Sequence, residues 1–204
     1  MEAVAWSDYI CPWAYLGRDR TALLGELGVA VTVRPFELHP EIPVGGRENR
    51  RGGRLDRVFA IVQAECDELG IPFRRPDRTP SSRRALETAE IVRVGWPQAF
   101  ARVDEALSRG HWVDGLDIGD PAVIDGILAD AGVPPGEVGE RWADGDGTAA
   151  VDASMADARE LGVTATPAWW VGDALLIPGA QPRDTMHRWI TRLLAAEAAG
   201  ATGD

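Results

Sequence analysis

The sequence predicts an α/β fold: a small sheet whose strands come from both ends of the chain, interrupted by a helical insertion. Three observations lead there. A strand–helix–strand unit fills the first 34 residues. Apolar residues then recur at helical spacing from about residue 50 to 145. Beyond them come a helix, a hairpin and a closing helix. At 204 residues the chain is long enough for one good core with an inserted subdomain.

Residues 2–6, containing Val4-Ala5-Trp6, read as the first strand. Leu16, Leu23, Leu24 and Leu27 share one face of a helix, which Gly28 closes. Val29, Val31 and Val33 alternate with smaller or polar residues, so 29–34 reads as the second strand. Gly45-Gly46 and Gly52-Gly53 bracket an arginine-rich loop. Leu55, Val58, Phe59, Val62, Cys66 and Leu69 then mark a helix ending at Gly70. Thr79-Pro80-Ser81-Ser82 is a turn with capping residues, before a helix carrying Ala85, Leu86, Ala89 and Val92. Pro97 opens another, with Phe100, Val103 and Leu107 on its face. Asp120-Pro121 is an N-cap and first-turn proline ahead of Val123, Ile124, Ile127 and Leu128. Val138 and Trp142 mark a short helix. Val151, Met155, Ala158 and Leu161 mark the next, closed by Gly162. Ala168-Trp169-Trp170-Val171, a two-residue turn at Gly172-Asp173 and the return strand Ala174–Ile177 form the hairpin. A last helix starts near Pro182, buries Met186, Trp189, Ile190 and Leu193, and frays into an Ala/Gly tail.

Charge narrows the function classes. The net charge is −11, which argues against nucleic acid and anionic membrane surfaces as partners. All 21 basic residues are arginine, and ten lie between Arg47 and Arg84, at 47, 50, 51, 54, 57, 74, 75, 78, 83 and 84. That segment reads either as a cap for carboxylate groups or as a solvated face. No apolar run approaches the ~20 residues that span a bilayer. The N-terminus shows no basic n-region with a separate apolar core, so a secretory signal is not expected. Cys11 and Cys66 make no disulfide framework, and a cytoplasmic, reducing location is the expectation.

The candidate chemistry sits in Ser7-Asp8-Tyr9-Ile10-Cys11-Pro12-Trp13-Ala14-Tyr15-Leu16-Gly17. Cys11 falls at a helix entrance, among unpaired N–H groups and at the positive end of the helix dipole. Both favour the thiolate, which is the nucleophile. Pro12 fits the first helical turn. Asp8 reads as a helix cap, and near Cys11 its charge would oppose thiolate formation. Cys66 lies on an apolar helical stripe and reads as core. It would resolve a mixed disulfide only if the two sulfurs approach closely. His39, His111 and His187 have no ligand spacing, so no metal site is expected. Of Trp169 and Trp170, successive in a strand, one faces the core and one faces outward.

Cys11-Pro12-Trp13-Ala14 resembles the CPWC motif of the DsbA family of thioredoxin-fold oxidoreductases, in its FrnE-like branch, where the run reads SDxxCPWCYxG. This chain departs at Ala14, the place of the second cysteine. Arg34-Pro35-Phe36-Glu37-Leu38-His39-Pro40 resembles that branch's RPFELxP. Gly162-Val163 with Pro167 fits GVxxxP, and Gly179-Ala180-Gln181-Pro182 matches GAQP. Trp112–Asp120 echoes EGxDIxD, while Arg78–Ser82 matches RTPNT more weakly and Leu86 replaces the histidine that follows it. The resemblance implies a thioredoxin fold with an inserted α-helical subdomain, DsbA-like: residues 1–45 and 146–204 form the thioredoxin-like domain and 46–145 the insertion. It implies a cis-proline at Pro167 facing Cys11. It also implies a substrate surface of Pro12, Trp13, Ala14, Ala165, Thr166 and Pro167, with Trp13 lining the site.

The implied activity is thiol–disulfide exchange through a Cys11 mixed disulfide, without an adjacent resolving thiol. No tightly bound cofactor is implied. Glutathione or another low-molecular-weight thiol is the implied co-substrate, and the substrate is a thiol or disulfide, small molecule or protein. A homodimer stays open. Two other readings remain at this stage. Glutathione-dependent 2-hydroxychromene-2-carboxylate isomerases and kappa-class glutathione transferases share the architecture and lack a CxxC pair, though they usually have serine at the position of Cys11. A non-enzymatic thioredoxin scaffold is the third.

Overall fold

The computed structural model describes residues 1–53 and 55–201. Arg54 of the arginine-rich segment and the end of the Ala/Gly tail lie outside them. The chain opens with β1 (Glu2–Ser7), α1 (Pro12–Glu26) and β2 (Ala30–Pro35). β2 runs parallel to β1, from Glu2 opposite Ala30 to Ser7 opposite Pro35. α1 ends through Gly28, whose φ of +86° suits glycine. Two later strands, β5 (Ala168–Val171) and β6 (Leu175–Pro178), complete the sheet in the order β2-β1-β5-β6, with β5 antiparallel to β1 and Ala5 opposite Trp169.

Between the two halves of the sheet the chain is mostly helical: α2 (Leu55–Leu69), α3 (Arg83–Gly95), α4 (Pro97–Arg109), α5 (Pro121–Asp130), α6 (Pro135–Ala143) and α7 (Asp146–Glu160). α8 (Arg183–Ala201) closes the chain. Pro97, Pro121 and Pro135 all stand in first turns, where a missing N–H costs nothing. The Asp120 side chain accepts from Ala122 N–H and caps α5 as its sequence predicts.

The periodic apolar residues sort into separate cores. Leu23, Leu24, Met186 and Ile190 pack with Ala5, Trp169 and Ile177 of the sheet. Trp6, Phe36 and Ala168 pack with Val151, Met155 and Ala158 of α7. A third core joins α3, α4, α5 and α6 through Val92, Val103, Leu107, Leu128 and Val138. Ile10, one residue before Cys11, belongs to this helical core. The loop that carries Cys11 is thus anchored where the sheet meets the helices. Arg20 strengthens the same junction. It is 3% exposed and joins Gln181 carbonyl oxygen at 3.1 Å and Glu65 at 2.9 Å, linking α1 to the segment before α8 and to α2. Arg20→Met is expected to lower stability by about 2 kcal/mol, since its carboxylate partners are partly solvated. For a chain of this size that is a fall of about 4–8 °C in melting temperature.

Several expectations need correction. Leu55, Leu69, Trp142 and Trp189 lie at helical spacing but are exposed, because their helices turn only part of each apolar stripe inward. Ser82 precedes α3 but its hydroxyl caps nothing. The hairpin turn holds three residues, not two. Gly172 and Asp173 both have positive φ, Ala174 N–H closes onto the Val171 carbonyl oxygen, and pairing resumes at Val171 with Leu175. Two features gave no periodic signal: a two-residue ladder between β3 (Arg47–Glu48) and β4 (Arg78–Thr79), and a π-helical turn, Gly110–Asp114, that prolongs α4.

Candidate active site

Cys11 is the N-cap of α1, with extended φ and ψ of −87° and 116° and Pro12 in the first turn. Its N–H donates to the Asp8 carbonyl oxygen at 3.1 Å. The thiol is 4% exposed and donates to the Thr166 carbonyl oxygen at 3.3 Å, across 155 residues of sequence. The Thr166–Pro167 peptide is cis. Pro167 lies over Gly17 of α1, where a Cβ would come within 2.8 Å of its ring. Gly17 therefore admits the proline by close approach, a reason sequence reading did not supply. Ala14 is buried and, with Gly17 and Pro167, lines a recess of about 500 Å³ that continues past Thr21 and Val33. Trp13 is half-buried beside Leu16, Val62 and Cys66. Ala165 is exposed. Cys66 is fully buried, and both it and Cys11 are free thiols.

The electrostatics differ from what a helix entrance suggests. Burial pushes the Cys11 thiol up to about 11. The Thr166 side chain and the N–H groups of Ala14 and Trp13 pull it down, and the Asp8 charge adds to the rise. The helix-terminal N–H groups act as expected, but loss of water outweighs them.

Asp8 does not cap α1. Its carboxylate is 1% exposed and accepts from Leu38 N–H at 2.7 Å and Ile10 N–H at 3.2 Å, tying the loop to the segment after β2. Burial raises its pKa from 3.8 to about 6, against the lowering effect of the Leu38 and Ile10 donors. The fold thus prefers the protonated acid. That preference is full below pH 3.8 and is lost as pH rises through 6. Asp8→Asn cannot ionise. The stability difference between variant and wild type is expected to move toward the variant by up to about 3 kcal/mol from pH 4 to pH 7. Urea unfolding at both pH values measures this, and parallel pH curves would count against it.

Tyr9 completes the anchoring. Its hydroxyl donates to Asp104 at 2.8 Å, and Arg18 of α1 bridges Asp104 and Glu105 of α4 at 2.8 and 2.7 Å. The arginine-rich segment is engaged in internal pairs only in part. Arg75 meets Asp56 at 2.6 Å, and Arg83 joins Glu37, Glu87 and Asp152. Arg47, Arg50, Arg51, Arg57, Arg74 and Arg78 are exposed. The Asp8, Gly17 and Tyr9–Asp104 roles depend on partners remote in sequence. Only the Ser7-Asp8 pair just before Cys11 carried a local signal.

Comparison with known proteins agrees with this architecture. The chain is similar to a probable DsbA oxidoreductase from Streptomyces coelicolor, at 25% identity and a TM-score of 0.78, covering 96% of this chain and 90% of that one. It shares the fold of a 2-hydroxychromene-2-carboxylate isomerase, at 19% identity and a TM-score of 0.76, covering 98% of each chain. It also shares the fold of DsbM, a cytosolic disulfide reductase from Pseudomonas aeruginosa solved with glutathione, at 17% identity and a TM-score of 0.67, covering 96% and 100%. No curated protein matches the sequence. A domain model matches residues 3–191, nearly the whole of the sheet and every helix between its halves, and by that match the chain belongs to the DSBA-like thioredoxin domain family.

Proposed function

We propose that the protein performs thiol–disulfide exchange with Cys11 as its single exchanging thiol. The Cys11 thiolate attacks one sulfur of a disulfide RSSR. The S–S bond breaks, RS⁻ leaves, and a Cys11–S–S–R mixed disulfide remains. An external thiolate R′S⁻ then attacks the R sulfur, forming RSSR′ and returning Cys11. The sum of the two steps is RSSR + R′S⁻ → RSSR′ + RS⁻: one external thiol exchanges into the disulfide per turn, a second turn on RSSR′ completes reduction of the substrate to two RS⁻ with R′SSR′ formed, and the protein undergoes no net change. The observation that carries this reading is the placement of Cys11 at the head of α1, against the Thr166 backbone and beside Pro167, with alanine three residues on. An extended substrate would pair with the Thr166 backbone in place of the thiol. Cys66, fully buried against Leu16 and Val62, is left as core. Low-molecular-weight thiols such as glutathione are the proposed partners, in a reducing compartment. Among the described residues no helix is long and apolar enough to cross a membrane.

A second reading has its own support. A Cys11 held protonated is a hydrogen-bond donor at neutral pH. It would hold a bound thiol cofactor's sulfur rather than attack a disulfide, as a thiol-dependent isomerase or transferase requires.

Intact mass after exposure of the reduced protein to glutathione disulfide separates the two. Exchange predicts one glutathione adduct, lost in Cys11→Ser, kept in Cys66→Ser, and removed by added thiol. An unmodified Cys11 in a protein that still binds reduced glutathione would replace exchange with the isomerase or transferase reading.

A further inference from the structure

The sheet leaves its β2 edge open. Ala30 N–H donates to the Met1 carbonyl oxygen at 3.1 Å, and Phe36 N–H to that of Ser7 at 2.9 Å. In a parallel ladder alternate residues turn both main-chain groups to the neighbouring strand. Ala30, Thr32 and Arg34 therefore face β1, and Val31 and Val33 turn theirs outward. The outward N–H and C=O groups of Val31 and Val33 have no hydrogen-bond partner among the described residues. Thr32 is exposed, and both valines are half-buried. Such an edge is a template for another strand, and natural edges are commonly blunted by charge or proline. Neither interrupts Ala30-Val31-Thr32-Val33. At the other edge, β6 ends in Pro178, which has no N–H and whose carbonyl oxygen accepts from the Gln181 side chain at 2.6 Å.

The two faces of this edge differ. On one, Thr21, Ala22 and Gly25 of α1 border, with Val29, Val31 and Val33, the recess that begins at Ala14 and Pro167. A Cβ on Gly25 would meet nothing within 4 Å. The other face carries charge. Register partners in a parallel ladder point the same way, so Glu2 stands beside Ala30 on the face that α7 covers, and Arg34 lies farther along that face. Arg34 is 3.6 Å from Asp157 of α7, and its buried Nε has no hydrogen-bond partner. Glu2 is exposed, and its carboxylate has no partner among the described residues.

We propose that the β2 edge pairs with the β2 edge of a second copy of this chain, antiparallel and about a two-fold axis, which joins two four-stranded sheets into one. The axis passes between Thr32 and Thr32 of the second copy. Val31 exchanges both main-chain bonds with Val33 of the second copy, and Val33 with its Val31. The valines of both copies share the face beneath the small residues of α1 and close the outer end of the recess. Charge selects a second copy over an unrelated strand. The same register sets Arg34 opposite Ala30 of the second copy, and beyond that short side chain stands its Glu2. Two strand spacings, about 9.5 Å, separate the Arg34 and Glu2 backbones, within the combined reach of the two side chains. By symmetry the ion pair forms twice. An unrelated extended segment could satisfy the open main-chain groups but brings no acid to that place. The proposal does not depend on exchange at Cys11.

Light scattering over a concentration series reads the assembly. The wild type is expected to be a dimer in the micromolar range. Thr32→Glu is an exposed change that sets two carboxylates face to face on the axis. It is expected to raise the dissociation constant at least ~tenfold, with an unchanged circular dichroism spectrum. Glu2→Arg, which sets like charges together in place of the ion pair, is expected to weaken the dimer in the same direction. A cross-link gives a readout that does not depend on how those variants fold. The Cα atoms of a non-hydrogen-bonded antiparallel pair lie about 4.5 Å apart, within the span of a disulfide. With Cys11→Ser and Cys66→Ser in the same chain, Thr32→Cys is expected to join the two copies under diamide, which takes up the two hydrogens that the thiols lose. A wild type that stays monomeric throughout the micromolar range overturns the proposal. So does a dimer that Thr32→Glu or Glu2→Arg leaves unchanged, or a pair of introduced thiols that diamide does not join.

Discussion

Replacing Ala14 by cysteine is expected to raise disulfide turnover about a hundredfold at millimolar external thiol, because release of the Cys11 adduct becomes intramolecular. Ala14 is three residues beyond Cys11, so the two share one side of the first turn of α1. It is 3% exposed and borders the recess beneath Pro167, so a sulfur there has space and stays shielded from solvent. In the Ala14→Cys variant, the introduced thiolate attacks the Cys11 sulfur of the mixed disulfide and expels RS⁻. External thiol then reduces the resulting internal disulfide. Turnover of glutathione disulfide with dithiothreitol as reductant measures the gain, and intact mass shows the loss of two hydrogens on oxidation. A variant that forms no internal disulfide on exposure to glutathione disulfide would mean that a Cys11 adduct is not on the path. The thiol-binding isomerase reading would then gain.

The parts of this site that were legible in the sequence are those set by near neighbours. Pro12 and the strand before it place Cys11 at a helix entrance, and Gly28 and Asp120 mark helix ends with local chemistry. Helical spacing likewise identifies which elements exist. It does not say which residues of a stripe find a partner, so Leu69 and Trp189 look like core and are exposed. The two-residue β3–β4 ladder and the π turn are too short to have a period. The energetics of Cys11 and Asp8 were the least accessible. Both depend on how completely distant segments, Thr166 for the thiol and Leu38 for the carboxylate, exclude water. A residue's place on its own helix does not contain that information.

Adduct formation at Cys11 is expected to quicken about tenfold for each pH unit between pH 7 and pH 10, with no plateau. With the thiol at about 11, the thiolate is a fraction on the order of 10⁻⁴ at pH 7. The ordinary thiol value is 9.0, so burial makes the thiolate about a hundredfold rarer than in an unperturbed cysteine. Greater basicity makes each thiolate roughly tenfold more nucleophilic, which leaves Cys11 about tenfold slower than a free thiol at neutral pH. The stability effect has the same cause. A thiol raised from 9.0 to about 11 favours the folded state while protonated, and that contribution is lost as pH rises from 9 to 11. Rates are therefore best compared below pH 10, with circular dichroism confirming the fold. Asp8→Asn removes a charge that raises the Cys11 value and is expected to speed the reaction a few-fold at pH 8 without changing the slope. Pseudo-first-order kinetics with glutathione disulfide, followed by mass at each pH, test this directly. A fast plateau reached by pH 8 would mean that the helix-terminal N–H groups prevail over burial. Cys11 would then be a resting thiolate, and the donor role that supports the isomerase or transferase reading would lose its basis.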